Sequence, residues 1–319
     1  MPAATGHLVV GAGAVGIGLG TALLAAGELV VFAARGDTAK ALRTQGCARG
    51  GIFGEVAFPP AAFSVIGEPA ELCFPVASVL VATKSFTSRE VAADLAKSDV
   101  VAGGDAPIVL AQNGLGAAEI FCERFPPQRI FNARVITGFR RSEPSRVEVT
   151  VHAEPILIGS VFGADPARVE PLARAIRRGG IPAETTAEIG SWLWAKLLFN
   201  CALNPLGAIL GVPYGELGRG EATRRLMELV VGEIFGVMRA EGASTRWPDA
   251  DAYLAHFYAE LLPSTALHES SMLQDVRGGR PTEIDALCGE VARRGDRLGV
   301  PTPVNEALAG LIRALSGSG

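Results

Sequence analysis

A short apolar strand, His7–Val10, runs straight into Gly11-Ala12-Gly13-Ala14-Val15-Gly16, and Val15–Ala26 then reads as a helix. Three glycines spaced GxGxxG between strand and helix leave few folds open. One permits a tight turn, one lets backbone approach a pyrophosphate closely, and one lets the helix pack against the strand. The helix N-terminus offers amides and a positive dipole end to an anion. A second buried strand, Glu28–Ala34, follows. The expected fold class is therefore α/β, and Gly11, Ala12, Gly13, Ala14, Val15 and Gly16 are the expected dinucleotide-binding residues. In a chain of 39 glycines the plain alternative is a purely structural turn.

The end of the second strand selects the cofactor. Acidic residues there suit the ribose 2′-hydroxyl of NAD, whereas arginine suits a 2′-phosphate through charge-assisted, bidentate hydrogen bonds. This strand ends in Arg35, with Asp37 two residues farther on, which favours NADP(H) and leaves Asp37 as the competing NAD signal. Two more apolar strands, Ser78–Thr83 and Pro107–Ala111, lead into Lys84-Ser85-Phe86 and Gln112-Asn113-Gly114. Ligands of parallel sheets bind outside such carboxyl ends. Arg129–Thr137 and Glu148–Gly159 also read as strands, and Pro166–Arg178 as a helix.

The 319 residues, 49% hydrophobic and 19% charged, suggest two domains. The break falls where Gly179-Gly180 and Pro182 precede a new pattern, giving domains 1–184 and 185–319. Net charge is −4 and the pI about 5.7, without a dense basic run, so neither a nucleic-acid partner nor a membrane surface is expected. Cys47, Cys73, Cys122, Cys201 and Cys288 are odd in number and lack metal-ligand spacing, as in a reducing compartment. The apolar start lacks a basic leader and contains Glu28, unlike a signal peptide. The expected location is cytoplasmic.

From Ile189 onward helical periodicity takes over. In Ala195–Leu210 (AKLLFNCALNPLGAIL) the polar side chains Lys196, Asn200 and Asn204 fall at i, i+4 and i+8, within an arc of roughly 80°. A helix apolar elsewhere is normally buried, and an ammonium with two amides needs partners there. The stripe is either a structural hydrogen-bond network or a ligand-facing surface with a lysine poised for proton transfer. Glu221–Glu241, Asp249–Leu262, Thr282–Leu298 and Val304–Leu315 read as further helices. Thr282 and Asp285 fit a capping box, and Ser271 a cap or a satisfied hydroxyl.

Together GAGAVG, KSF at Lys84–Phe86, QNG at Gln112–Gly114, WAKLLFNCALNPL at Trp194–Leu206, SSMLQD at Ser270–Asp275 and TEID at Thr282–Asp285 resemble the ketopantoate reductases (2-dehydropantoate 2-reductases), in family order over almost the whole chain. The resemblance implies an N-terminal Rossmann dinucleotide-binding domain, an all-α C-terminal domain, and a cleft site between them. It implies reduction of ketopantoate to pantoate with NADPH, on the route to pantothenate. Lys196 matches the catalytic lysine and Glu283 an active-site glutamate that also counts among the cofactor-binding positions. Asn200, Asn204 and Ser271 match substrate-binding positions. Asn113 matches an asparagine between cofactor and substrate, and Lys84 and Arg35 match cofactor-binding positions. In such chemistry a lysine stabilises the developing oxyanion and protonates it. No metal is needed. The partner is a small 2-keto acid, and a homodimer is compatible with the sequence, which fixes no oligomeric state.

Several positions depart from the family pattern. Asn132–Arg141 carries the bulky Ile136, Phe139, Arg140 and Arg141 where small and polar residues are expected, and Thr150 and Glu154 replace His and Gly. Tyr214 and His268 stand where asparagines are common, with the possibility of lining the substrate pocket. The rival readings are an NADPH-dependent reductase of another 2-keto acid or ketone, and a non-catalytic NADP(H) sensor. The sensor is disfavoured by the presence of both Lys196 and Glu283.

Overall fold

Strands made of unbroken apolar runs have no face to give to water, so their sheet must be covered on both sides. The computed structural model describes residues 6–317. The chain divides into two units: residues up to Gln112 with Ala117–Ile189, and Asn113–Gly116 with residues from Gly190 on. In chain order the strands are β1 Gly6–Val10, β2 Val30–Ala33, β3 Cys47–Gly51, β4 Val56–Phe58, β5 Ser64–Ile66 and β6 Val76–Val81. They continue with β7 Ile108–Leu110, β8 Ile130–Arg134, β9 Thr137–Glu143, β10 Arg146–His152, β11 Ile156–Gly159 and β12 Ala183–Thr185.

The main sheet of the first unit has eight strands in the order β12-β11-β8-β7-β6-β1-β2-β5. From β5 to β8 every neighbour is parallel, with Leu8 opposite both Val31 and Val79. Then β11 turns antiparallel to β8. The strand order reverses beside β1, which creates the crevice where doubly wound sheets bind ligands. Alternation along each strand splits the core in two. Val9, Phe32, Leu80 and Val109 pack on one face, and Leu8, Val31, Val79 and Ile108 on the other.

A second sheet, β4-β3-β10-β9, was not legible in the sequence. The helix Ala14–Ala25 touches strands of both sheets, which explains why it is apolar all round. Its glycines are the contact points. A Cβ on Gly18 would come 2.3 Å from the Phe139 ring, and one on Gly20 2.4 Å from the Phe32 ring. Glu148–Gly159, read as one strand, is two strands in two sheets. Pro155, unable to donate to a ladder, lies between β10 and β11.

Among the described residues no strand follows Thr185. The second unit is built from helices, chiefly Ile189–Leu210, Glu221–Ala240, Ala250–His256, Ser271–Arg277, Cys288–Leu298 and Pro303–Leu315. Ile189–Leu210 is long and apolar enough to cross a membrane by length and composition, yet 67% of its apolar window is buried inside the protein. Its Leu198, Cys201, Ala202 and Leu203 pack with Met227, Val230 and Ile234. Pro205 removes the amide that would bond the carbonyl four residues back, and that Cys201 carbonyl accepts instead from Cys288 Sγ at 3.9 Å. Two expected helices are broken. Asp249–Leu262 passes through a π turn at Phe257–Leu261. Thr282–Leu298 begins as a separate 3-10 turn at Ile284–Ala286. Among the described residues the capping box is absent there: Thr282 Oγ1 is buried without a hydrogen-bond partner, and Asp285 binds Arg313 at 2.6 Å.

Candidate functional site

The glycine turn of the first unit assigns a different task to each glycine. Gly11 has φ +92°, a backbone conformation L side chains rarely adopt, and a Cβ there would meet Thr83 Cγ2 at 2.6 Å. Gly16 sits under the turn, where a Cβ would lie 2.0 Å from the Gly11 carbonyl oxygen. Gly13 faces open space instead, its nearest neighbour being Ala82 O at 4.0 Å. It is also the N-cap of Ala14–Ala25, a helix that no side chain among the described residues caps. Bare backbone at an uncapped helix N-terminus fits a pyrophosphate. Ala14 and Val15 continue into the first helical turn.

Gly11, Ala12, Gly13, Arg35, Thr38, Thr83, Thr87, Glu90, Asp94 and Arg141 are among the residues lining a cavity of about 320 Å³. Arg35, exposed at the mouth, donates to Glu90 Oε1 at 3.1 Å and to Asp94 Oδ2 at 3.3 Å, with Glu68 at 3.8 Å. The Glu90 hydrogen bond is the main cause that raises its already high pKa. Such exposed ion pairs are worth little, so a stronger anion can displace them. Lys84 follows Thr83 at the end of β6, and its carbonyl accepts from Gln112 Nε2 at 3.2 Å. Gln112 also donates to Thr83 Oγ1 and accepts from Ser88. This glutamine therefore ties the ends of β6 and β7 together.

Asn113 belongs to the second unit. Gly114 has φ +86° and approaches so closely that a Cβ would lie 2.0 Å from the Ala286 carbonyl oxygen, while Leu115 N donates to that oxygen at 3.0 Å. This contact seats Asn113 against the stripe. Lys196 Nζ donates to Asn113 Oδ1 at 2.8 Å, and Asn113 Nδ2 donates to Glu283 Oε2 at 3.0 Å. Of the two ends of an amide only the nitrogen can donate to a carboxylate, so Glu283 fixes which way the Asn113 amide points and turns its oxygen to the ammonium.

The rest of the stripe divides into a paired and an open residue. Tyr214 Oη donates to Asn204 Oδ1 at 2.5 Å, leaving the Asn204 amide hydrogens to other acceptors. Burial pushes the Tyr214 phenol up, so it remains a donor at working pH. Its ring meets Phe199 and His268 at centroid distances of 5.7 and 5.2 Å. The departing residues Tyr214 and His268 thus touch each other beside a predicted substrate residue. The Asn200 side chain makes no hydrogen bond among the described residues and stands half-buried. Ser270, not Ser271, caps Ser271–Arg277, accepting from Leu273 N at 3.0 Å. Ser271 is left exposed in the first helical turn.

Thr38, Glu90, Asp94 and Arg141 escaped the sequence reading. Arg141 carried a signal, as a cation where the pattern called for a small residue. The other departing residues are absorbed locally: Phe139 covers Gly18, and Glu154 pairs with the buried Arg134.

Two family models match almost the whole chain. The one described as ketopantoate reductase PanE/ApbA covers residues 7–162, and its C-terminal counterpart covers residues 188–316. A 2-dehydropantoate 2-reductase of Aquifex aeolicus is 34% identical over 308 residues, 96% of each chain. The crystal structure of a PanE/ApbA family ketopantoate reductase from Ralstonia eutropha matches with a TM-score of 0.83 and 30% identity, over 98% of this chain and 99% of that one. A D-mandelate dehydrogenase solved with NADH and anilino(oxo)acetate reaches 0.85 at 23% identity over 98% and 99%, a likeness of fold. The oxidoreductase signature of the glycine turn and the lysine–asparagine–glutamate chain thus sits on a protein that belongs to the ketopantoate reductase family.

Proposed function

We propose that this protein reduces ketopantoate to pantoate with NADPH, the step that serves pantothenate biosynthesis. The observation that carries the reading is the chain Glu283–Asn113–Lys196, added to the family match. The nicotinamide, when bound, supplies a hydride to the keto carbon, and negative charge grows on the carbonyl oxygen. Lys196 Nζ stabilises that oxygen and gives it a proton. Asn113 and Glu283 hold the ammonium in one orientation, which limits its reorganisation as the charge develops. Asn200, the Asn204 amide hydrogens and Ser271 bind the carboxylate and hydroxyl of the substrate and fix the ketone for attack. Arg35 and Lys84 hold the cofactor, with Arg35 on the 2′-phosphate, and the glycine turn holds the pyrophosphate. The five unpaired thiols support a reducing, cytoplasmic location.

The deciding assay follows NADPH oxidation with ketopantoate beside NADH and a panel of other 2-keto acids. Turnover that is fastest with NADPH and ketopantoate is expected. Activity confined to a different keto acid would move the substrate assignment to that acid. NADPH binding without turnover on any substrate would remove the enzymatic reading altogether.

A further inference from the structure

Arg35 is the residue from which the sequence argues for a 2′-phosphate, yet it already faces Glu68, Glu90 and Asp94 within 4 Å. Lys97 answers Asp94 at 2.8 Å. Two cations therefore stand against three carboxylates. An added phosphate brings about −1.5 to −2 more charge, and Arg35 alone is poorly placed to meet it.

A second guanidinium lines the same cavity. Phe139 and Arg141 lie two residues apart in β9, opposite Val149 and Val147 of β10 without a register shift between them, so they share a face of the second sheet. Phe139 is spent on Gly18. Arg141 reaches Thr38 Oγ1, in the first turn of Gly36–Gln45, and the Pro144 carbonyl, 2.8 Å away. Among the described residues Arg141 makes no ion pair, in contrast to Arg35. Thr38 accepts from Arg141 through its oxygen and keeps its own hydroxyl proton to donate.

We propose that Arg141 is a second guanidinium contact for the adenosine 2′-phosphate, so that preference for NADPH over NADH rests on Arg141 together with Arg35. The proposal rests on the reading of this cavity as the NADPH site. One arginine comes from the end of β2 and one from the second sheet, and both line the same cavity as Thr38. The competing role for Arg141 is to pin the β9–β10 turn through the carbonyls of Glu143 and Pro144.

The test is calorimetric titration of the full-length protein, Arg141→Ala and Arg141→Gln with NADPH, NADH, adenosine 2′,5′-bisphosphate and AMP. Glutamine keeps N–H donors for the turn and removes the charge. Loss of one charged phosphate contact should weaken NADPH and the bisphosphate about tenfold and NADH and AMP less than about twofold, in both variants and at unchanged Tm for the glutamine variant. A protein that prefers NADPH and keeps that preference in both variants would overturn the role of Arg141 alone. A wild-type protein that binds NADH as tightly as NADPH would overturn the cofactor reading and this proposal with it.

Discussion

An ammonium on a helix of leucines has few places to direct its three protons. Lys196 sends one to an asparagine 83 positions away, and that asparagine is itself turned by Glu283. Removal of the proposed proton donor should therefore cost chemistry and not cofactor binding. Lys196→Ala is expected to lower kcat by roughly 10²–10⁴, the usual contribution of a positioned general acid, with the NADPH Kd unchanged. Full turnover in that variant, measured at saturating NADPH, would take the proton donor away from this residue. The thiols offer a second residue-scale check. Cys47, Cys201 and Cys288 are buried, Cys122 half-buried and Cys73 exposed, and burial pushes the Cys47 thiol up to about 12. Because the thiolate is the reactive form, iodoacetamide at neutral pH should label Cys73 first. It should reach the three buried cysteines only after unfolding, as read by peptide mass mapping.

At the scale of elements, the helix Ala14–Ala25 packs against strands of both sheets through glycines where side chains would otherwise stand. A methyl on Gly18 has no room beneath Phe139, so Gly18→Ala is expected to cost roughly 1–3 kcal/mol in urea unfolding. Phe139→Leu in the same chain should recover part of that loss, because the two changes share one contact; simple additivity would show that the ring does not press on the helix. The glycine turn and the polar stripe were legible because each depends on spacing along one element. The second sheet was not, since Cys47–Gly51 reads CARGG and shows no apolar alternation, and its cohesion comes from β10 about a hundred residues later. The same limit applies to the site. Spacing exposed Lys196, Asn200 and Asn204, but the Tyr214 hydroxyl on Asn204 and the Arg141 guanidinium in the cavity appeared in sequence only as residues that broke a pattern.

The molecule as a whole should lose stability in mild acid. His7 is buried, bonded to Ser78 at 2.8 Å, and burial lowers its pKa below the ordinary 6.5 despite Glu28 nearby. Burial lowers His152 and His268 in the same direction. In each case the unfolded chain takes up a proton at a pH where the folded chain does not. Stability is thus full above 6.5 and falls as pH drops through that value towards the lower folded pKa. Tm should decline between about pH 7 and about pH 5, and less steeply in His7→Gln, where one of the depressed groups is gone. A flat profile over that range would mean that the imidazoles take up protons in the folded protein as readily as in the unfolded chain.

The four residues Asn113–Gly116 leave the first unit in mid-chain, join the second, and return. Recombination that exchanged the two halves at a single junction near residue 189 would import a Lys196 with the wrong asparagine in front of it. A working chimera would have to carry this four-residue patch with the helical half, so the protein's inheritance is modular only when its genes are cut in three places.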